Sequence, residues 1–277
     1  MIRTLRILTA NPLSLLGLIL VFLITFAAIF APWVAPFPSH NGSVVDFMNN
    51  NRPPSTQNWL GTDLVGRDIL SRILFAYQIS LTLGVVVLAI SVPIGTTIGL
   101  LAGYIGGWLE MILMRIVDIF LSIPPLVLAI AMMGVLEPTL TNAMLAVTAM
   151  WWPWYARLVY SIARGEREEG YIVAAEVIGA GAGHIAFREV LPNCLPAIIT
   201  KMTLDMGFVI IIASSLSFLG LGVQPPTADL GSMVAEGARY LPDSWWLTVF
   251  PGLAILIAVF GFNLLGDGLR DVLGVNE

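Results

Sequence analysis

Six stretches of nearly continuous apolar residues, near 13–35, 79–104, 113–136, 140–160, 197–221 and 246–268, constrain this chain more than any other feature. A helix crosses a hydrocarbon core of about 30 Å with roughly 20 residues, and each stretch supplies about that many. In lipid the backbone has to satisfy its own N–H and C=O groups, which only helices and closed barrels achieve. The stretches are continuous rather than alternating, so the chain reads as all-α, a polytopic membrane protein with six transmembrane helices. With 57% of its 277 residues hydrophobic and only 11% charged, it lacks the polar surface a water-soluble fold of this length needs. Arg3 and Arg6 precede the first stretch, as in a signal peptide. That stretch is longer than the roughly 7–15 residues of a signal core, and it is read as a retained span.

Lys and Arg orient the spans. With the N-terminus in the cytoplasm, nine cations (Arg3, Arg6, Arg115, Arg157, Arg164, Arg167, Arg188, Lys201, Arg270) lie inside or at the inner interface. Four (Arg52, Arg67, Arg72, Arg239) lie outside, and the positive-inside rule selects this topology. Both termini are then cytoplasmic. Residues 1–12 form a cytoplasmic N-terminal segment, and 13–277 form one transmembrane domain with an outer loop at about 36–78. The largest cytoplasmic segment, about 161–196, joins spans four and five.

Several functions lack their residues. The net charge is −5 and no basic stripe appears, which argues against nucleic acid. Cys194 is the only cysteine, and His40 and His184 have no partner at ligand spacing, so no metal site is expected. No G-x-x-x-x-G-K-[ST] loop occurs, so the chain is not expected to hold a nucleotide by one. No nucleophile–base set suggests an enzyme.

Other residues carry structural and functional readings side by side. Asp63, Arg67 and Asp68 in "GTDLVGRD" suit local ion pairs, with Asp63 as a helix cap, or contact with an outer partner. Trp59 would mark the outer interface. Asp118, Asp205 and Asp267 fall near inner ends of spans, where ion pairing or anchoring outweighs a proton relay; Lys201 and Asp205 are an i, i+4 pair. Pro124-Pro125 and Pro153 free backbone carbonyls and are expected to kink spans three and four. Gly95, Gly99 and Gly103 suit close helix packing, and Trp151, Trp152 and Trp154 suit interfacial anchoring.

The segment "YIVAAEVIGAGAGHIAFREVLPN", 171–193, is polar and small in a chain that is otherwise apolar. Ala174, Ala175 and Ile178 have helical spacing, Gly179, Gly181 and Gly183 allow a sharp turn, and a second short helix is expected over His184–Val190, with Pro192 interrupting it or starting the next element. A solvated linker and a docking helix pair both fit this pattern.

Ala174-Ala175, then Gly179 after three residues, then Leu191-Pro192, resembles the cytoplasmic coupling loop of ABC-importer permeases. Val173 stands where that pattern has Glu, and Glu189 where it has Ile. "WLGTDLVGRDILSRI" (59–73), "SSLSFLGLGVQPPTADLG" (214–231) and "FNLLGDGLRD" (262–271) resemble signatures of the second permease of the oligopeptide, dipeptide and nickel importers; Leu230 stands where that family often has Trp. The resemblance assigns ATPase coupling to Ala174, Ala175, Glu176, Gly179, Gly183, Leu191 and Pro192, and an outer motif to Gly61, Thr62, Asp63, Gly66, Arg67 and Asp68. It implies a non-catalytic permease in the cytoplasmic membrane of a prokaryote. Its partners would be a second homologous permease, two cytoplasmic ATPase subunits that bind the ATP and Mg, an extracytoplasmic solute-binding protein, and lipid. Peptides, nickel chelates, opines and oligosaccharides all remain open as substrates. An ion-coupled secondary transporter would need inverted repeats and midplane charges, and neither is seen.

Overall fold

The computed structural model describes residues 11–274; residues 1–10 and 275–277 lie outside it, and with them Arg3, Arg6, most of segment 1–12 and the placement of the two chain ends. Helix α1, Pro12–Ile29, starts at Asn11, whose side chain accepts a hydrogen bond from the Leu13 N–H at 3.0 Å. Pro12 follows, where a missing N–H costs nothing.

Helix α2, Ile69–Ile105, has 37 residues. At 1.5 Å per residue that is about 55 Å, well beyond a single bilayer core. The outer loop expected over 36–78 therefore ends at Asp68. The first turns of α2 bury Ile69, Ser71, Arg72 and Ile73 inside protein. They face no lipid, so they need not be apolar, and apolar runs did not reveal them.

The third expected span is broken. Helices α3, Gly107–Leu121, and α4, Pro125–Met133, meet at an angle of 80°. Pro124 sits at φ −55°, ψ 129°, the extended conformation imposed on a residue that precedes a proline. Pro153 behaves differently, lying buried inside an uninterrupted helix α5, Leu140–Glu166.

Helix α6, Gly170–Val177, is short. Ala182–His184, a π-helical turn over Ile185–Val190, and helix α7, Leu191–Phe218, then run on as one 37-residue element, Ala182–Phe218. The separate second helix expected over His184–Val190 is thus the foot of α7. The Leu191 N–H bonds back to the Ala186 carbonyl, an i to i−5 step immediately before Pro192. That wide turn accommodates a residue with no N–H to donate, so Pro192 does not break the helix. Helices α8, Leu230–Ala238, and α9, Trp246–Leu273, complete the chain.

Among the described residues, α1, α2, Ala182–Phe218 and α9 are long and apolar enough to cross a membrane, and the bent pair α3–α4 makes a fifth candidate. Helix α5, over the fourth expected span, is long enough but falls outside that set. It packs along α2 in the largest helix contact of the molecule, while α9 packs on α7 and α1. Gly95, Gly99 and Gly103 of α2 are the seam. A Cβ on Gly95 would stand 2.3 Å from the Trp152 carbonyl oxygen, and one on Gly99 2.3 Å from that of Ala156. The two backbones touch because those positions carry no side chain.

Candidate functional site: the coupling element and the outer polar knot

Helix α6 ends in a glycine stop. Gly179 has φ +86°; its N–H bonds to the Glu176 carbonyl at 3.0 Å, and the Ala180 N–H to the Ala175 carbonyl at 3.0 Å. This pair of bonds closes a helix end with a left-handed residue, which glycine adopts without a Cβ penalty. Gly181 and Gly183 do not share that role: Gly181 is extended at φ −72°, and Gly183 lies in the helical turn Ala182–His184.

One side of α6 is anchored. Ile172 is fully buried in the same apolar cluster as Ile185, Ala186 and Val190, with Ala175, Ala180 and Leu191 packed partly against it. Ala174 is exposed, so the two alanines do not share one outward face: Ala175 turns partly into the chain's own core. The outward stripe consists of Val173, Ala174, Val177 and Ile178, with Val177 82% and Ile178 84% exposed. Positions i, i+1, i+4 and i+5 share one face of a helix. Pro192 and Gly183 are exposed nearby.

Polar contacts tie this element to the spans. Tyr104, near the end of α2, donates to Glu176 Oε1 at 3.1 Å. Tyr171 donates to Glu166 Oε2, and Asn193 Nδ2 donates to the Tyr171 hydroxyl at 2.7 Å and to Glu166 Oε2 at 3.1 Å. Burial first, and then the bond to Glu166, push the Tyr171 hydroxyl up to about 12, so it remains a donor at neutral pH. Motion of α6 is thereby linked to α2, α5 and α7. These tyrosine and asparagine links had no signal in the sequence. The apolar pair Val177-Ile178 beside Gly179 did carry one.

The outer motif is a buried polar knot. Asp63 Oδ2 pairs with Arg67 Nε at 2.7 Å and with Arg72 Nε at 3.6 Å, while its Oδ1 accepts from the Val65 and Arg67 N–H groups at 3.0 and 2.8 Å. The helix cap is Asp68 rather than Asp63. Its Oδ2 accepts from the Ser71 N–H at 2.8 Å, and its Oδ1 from Asn58 Nδ2 at 2.9 Å. The correction follows from the earlier start of α2. Thr62 donates to the Asn49 carbonyl at 2.6 Å and accepts from the Arg52 N–H at 2.8 Å. Gly61 and Gly66 take φ +81° and +86°, and a Cβ on Gly66 would lie 1.9 Å from the Asp46 carbonyl oxygen. Arg67 and Arg72 reach the Pro226 carbonyl, joining the start of α2 to the α7–α8 connection. Trp59 is 69% exposed beside the knot.

Two ion pairs lie within these helices. Asp118 of α3 meets Arg157 of α5, and Lys201 Nζ lies 3.1 Å from Asp205 Oδ1. Asp118 stands 11 residues, about 16 Å, into α3 and three residues before its end at Leu121. Asp267 is exposed near the end of α9. Among the described residues no group of three or more His, Cys, Asp or Glu is placed to hold a metal.

The chain is thus a bundle of bent and over-long apolar helices with a short, glycine-stopped helix packed on the foot of α7. Residues 95–274 match the family described as the binding-protein-dependent transport system inner membrane component, and residues 1–54 match the N-terminal TM domain of oligopeptide transport permease C. The chain belongs to this family of ABC-importer permeases. It is 44% identical over 266 residues to the probable D,D-dipeptide transport system permease protein DdpC of Escherichia coli K12, covering 96% of this chain and 88% of that protein. It is 40% identical over 267 residues to the dipeptide transport system permease protein DppC of Haemophilus influenzae, covering 94% and 89%. The glutathione transport system permease protein GsiD of Escherichia coli O6:K15:H31 is 42% identical over 261 residues, covering 94% and 86%. The fold is similar to a solved inward-facing structure of the MetNI methionine ABC transporter, with TM-score 0.62 and 21% identity over 76% of this chain and 98% of that one.

Proposed function

We propose that this permease carries small peptides across the cytoplasmic membrane. Relatives 40–44% identical to it are named for dipeptide, D,D-dipeptide and glutathione transport, which favours peptides over nickel chelates, opines or sugars. It works with a second homologous permease, an extracytoplasmic binding protein and two cytoplasmic ATPase subunits that hold the ATP and Mg. Its six spans leave both termini and the α5–α7 connection in the cytoplasm.

The observation that carries the mechanism is the exposed stripe Val173, Ala174, Val177 and Ile178, on a helix otherwise anchored through Ile172. An apolar face on a water-side segment calls for a protein partner, and burying a Val or Ile side chain is worth about 1.5–3 kcal/mol. The ATPase groove is that partner. Its closure pushes on α6, and the Glu176–Tyr104 and Tyr171–Asn193 links pass the movement to α2 and α7. Gly179 and Pro192 shape the element, while Ala174 lets it approach closely.

The test is uptake of a labelled dipeptide by proteoliposomes carrying both permeases, the ATPases and the binding protein. Ile178→Asp is expected to abolish uptake, and the ATPases are expected to separate from the permeases on purification. Normal uptake with the ATPases still bound would refute the docking reading. A wild-type complex that carries a chelate or a sugar but no peptide would refute the substrate reading.

A further inference from the structure

Lys201 is the only lysine in the chain, and it lies within a membrane-spanning helix. It stands 17 residues before Phe218, the end of α7, and Asp205 stands 13 before it, or about 26 and 20 Å along the helix. On the topology above, both are in the inner half of a core about 30 Å thick. A lysine so close to the cytoplasmic side would ordinarily extend toward the interface. This one does the reverse and reaches one turn deeper, to Asp205 Oδ1 at 3.1 Å.

The neighbours of Lys201 come from α5. Its ammonium lies 5.8 Å from the centre of the Trp154 ring and 5.5 Å from that of Tyr155. Asp205 is 4% exposed, and the buried Tyr155 hydroxyl faces its carboxylate. The Lys201 side chain itself remains 27% open, and Trp154 43%. One turn along α5, Arg157 and its partner Asp118 are 40% and 47% open. Open charge against lipid costs at least about 2.5–3.5 kcal/mol per group, so such groups face a bundle interior or water. The strip Asp118–Arg157–Trp154–Lys201 therefore faces away from lipid.

We propose that Lys201 is a specificity-determining contact on the translocation pathway that receives the carboxylate of the passing peptide. An ammonium has three N–H donors and Asp205 engages one of them. The aromatic faces and Asp205 hold the group in place, and the open donors meet the solute. Asp205 acts through Lys201 as a positioning residue. The proposal rests on the peptide reading above.

The experiment compares uptake of a dipeptide with uptake of its C-terminal amide, in the full reconstituted complex, at concentrations giving equal occupancy of the binding protein. Lys201→Gln alone would strand a buried Asp205 carboxylate, so the main variant is the neutral pair Lys201→Gln/Asp205→Asn. The preference for the free acid is expected to fall about tenfold in that pair, the worth of one charge-assisted bond, and to survive in Lys201→Arg. An unchanged preference, or equal slowing of acid and amide, would assign the pair a purely structural role and overturn the proposal. Loss of the second permease on purification would make Lys201 a pairing contact and overturn it as well. Failure of the wild-type complex to carry any dipeptide would instead overturn the substrate reading, and the two failures are separable.

Discussion

Replacing Gly99 by Ala tests whether the α2–α5 seam holds the bundle together. The new Cβ would lie 2.3 Å from the Ala156 carbonyl oxygen, 2.9 Å from the Tyr160 nitrogen and 3.0 Å from Val159 Cβ. A carbon rests against a carbonyl oxygen at about 3.3 Å or more, so the deficit is about 1 Å. Both nearest atoms are helix backbone and cannot rotate aside. The helices must separate by about that distance, and a gap of 0.5–1 Å forfeits roughly a quarter to a half of each neighbouring contact. Overpacking of this kind costs about 1–3 kcal/mol, against which the better helix propensity of Ala returns at most about 1 kcal/mol. The expected net loss is about 1–2 kcal/mol. Gly165 is the control, helical but with nothing within 4 Å of its Cβ, so Gly165→Ala keeps only the favourable part. Tryptophan fluorescence during denaturation of the detergent-purified complex reads both. If Gly99→Ala is as stable as wild type, or if both variants shift the same way, the seam does not work as argued.

Other consequences are as direct. At Gly179 the surroundings are open and only φ +86° penalises a side chain, so Gly179→Val is expected to lose about 1–2 kcal/mol locally and to impair uptake at normal membrane abundance. Gly179→Asn should be milder, and equal uptake rates by the two would contradict the turn argument. Asp229 caps α8 through the Ser232 N–H at 3.0 Å, and burial raises its pKa above the ordinary carboxylate value, opposed by hydrogen bonds from Ser232 and Ser217. The native state therefore keeps the proton to higher pH than the unfolded chain, and stability falls as pH rises from about 4 through the raised value. Denaturation midpoints should show that slope in wild type and none in Asp229→Asn, while Asp229→Ala loses about 1 kcal/mol of capping at any pH. Ser43→Cys in a Cys194→Ala background should react with an impermeant thiol reagent in intact cells, and labelling only after permeabilisation would overturn the topology.

Much of this was legible in the residues, because lipid imposes a rule each segment obeys by itself. The apolar runs marked the places of α1, α7 and α9, and Pro124-Pro125 marked the break between α3 and α4. Gly179 was readable as a turn because a helix stop by a left-handed glycine involves only its own few residues. The order of the motifs sufficed to suggest the permease family.

The remainder depends on contacts between distant residues. Nothing local announces that α2 begins at Ile69, since its first turns are sheltered by a knot built from Asn49, Arg52, Asn58, Asp63, Asp68 and Pro226. Whether Pro192 interrupts a helix or starts the next one was open in sequence; it stands in the first turn of α7, and the π turn Ile185–Val190 lets the helix run on into it. Ala174 and Ala175 look alike in sequence, and only the packing of α6 on Ile185 and Val190 turns one outward and the other partly inward. Sequence by itself determined that the chain is built of long apolar helices and that Gly179 permits a turn. Tertiary structure decided which polar groups are paired, which apolar face is left open, and where each helix ends, because a buried polar group or an exposed Ile has its energy set by neighbours tens or hundreds of residues away.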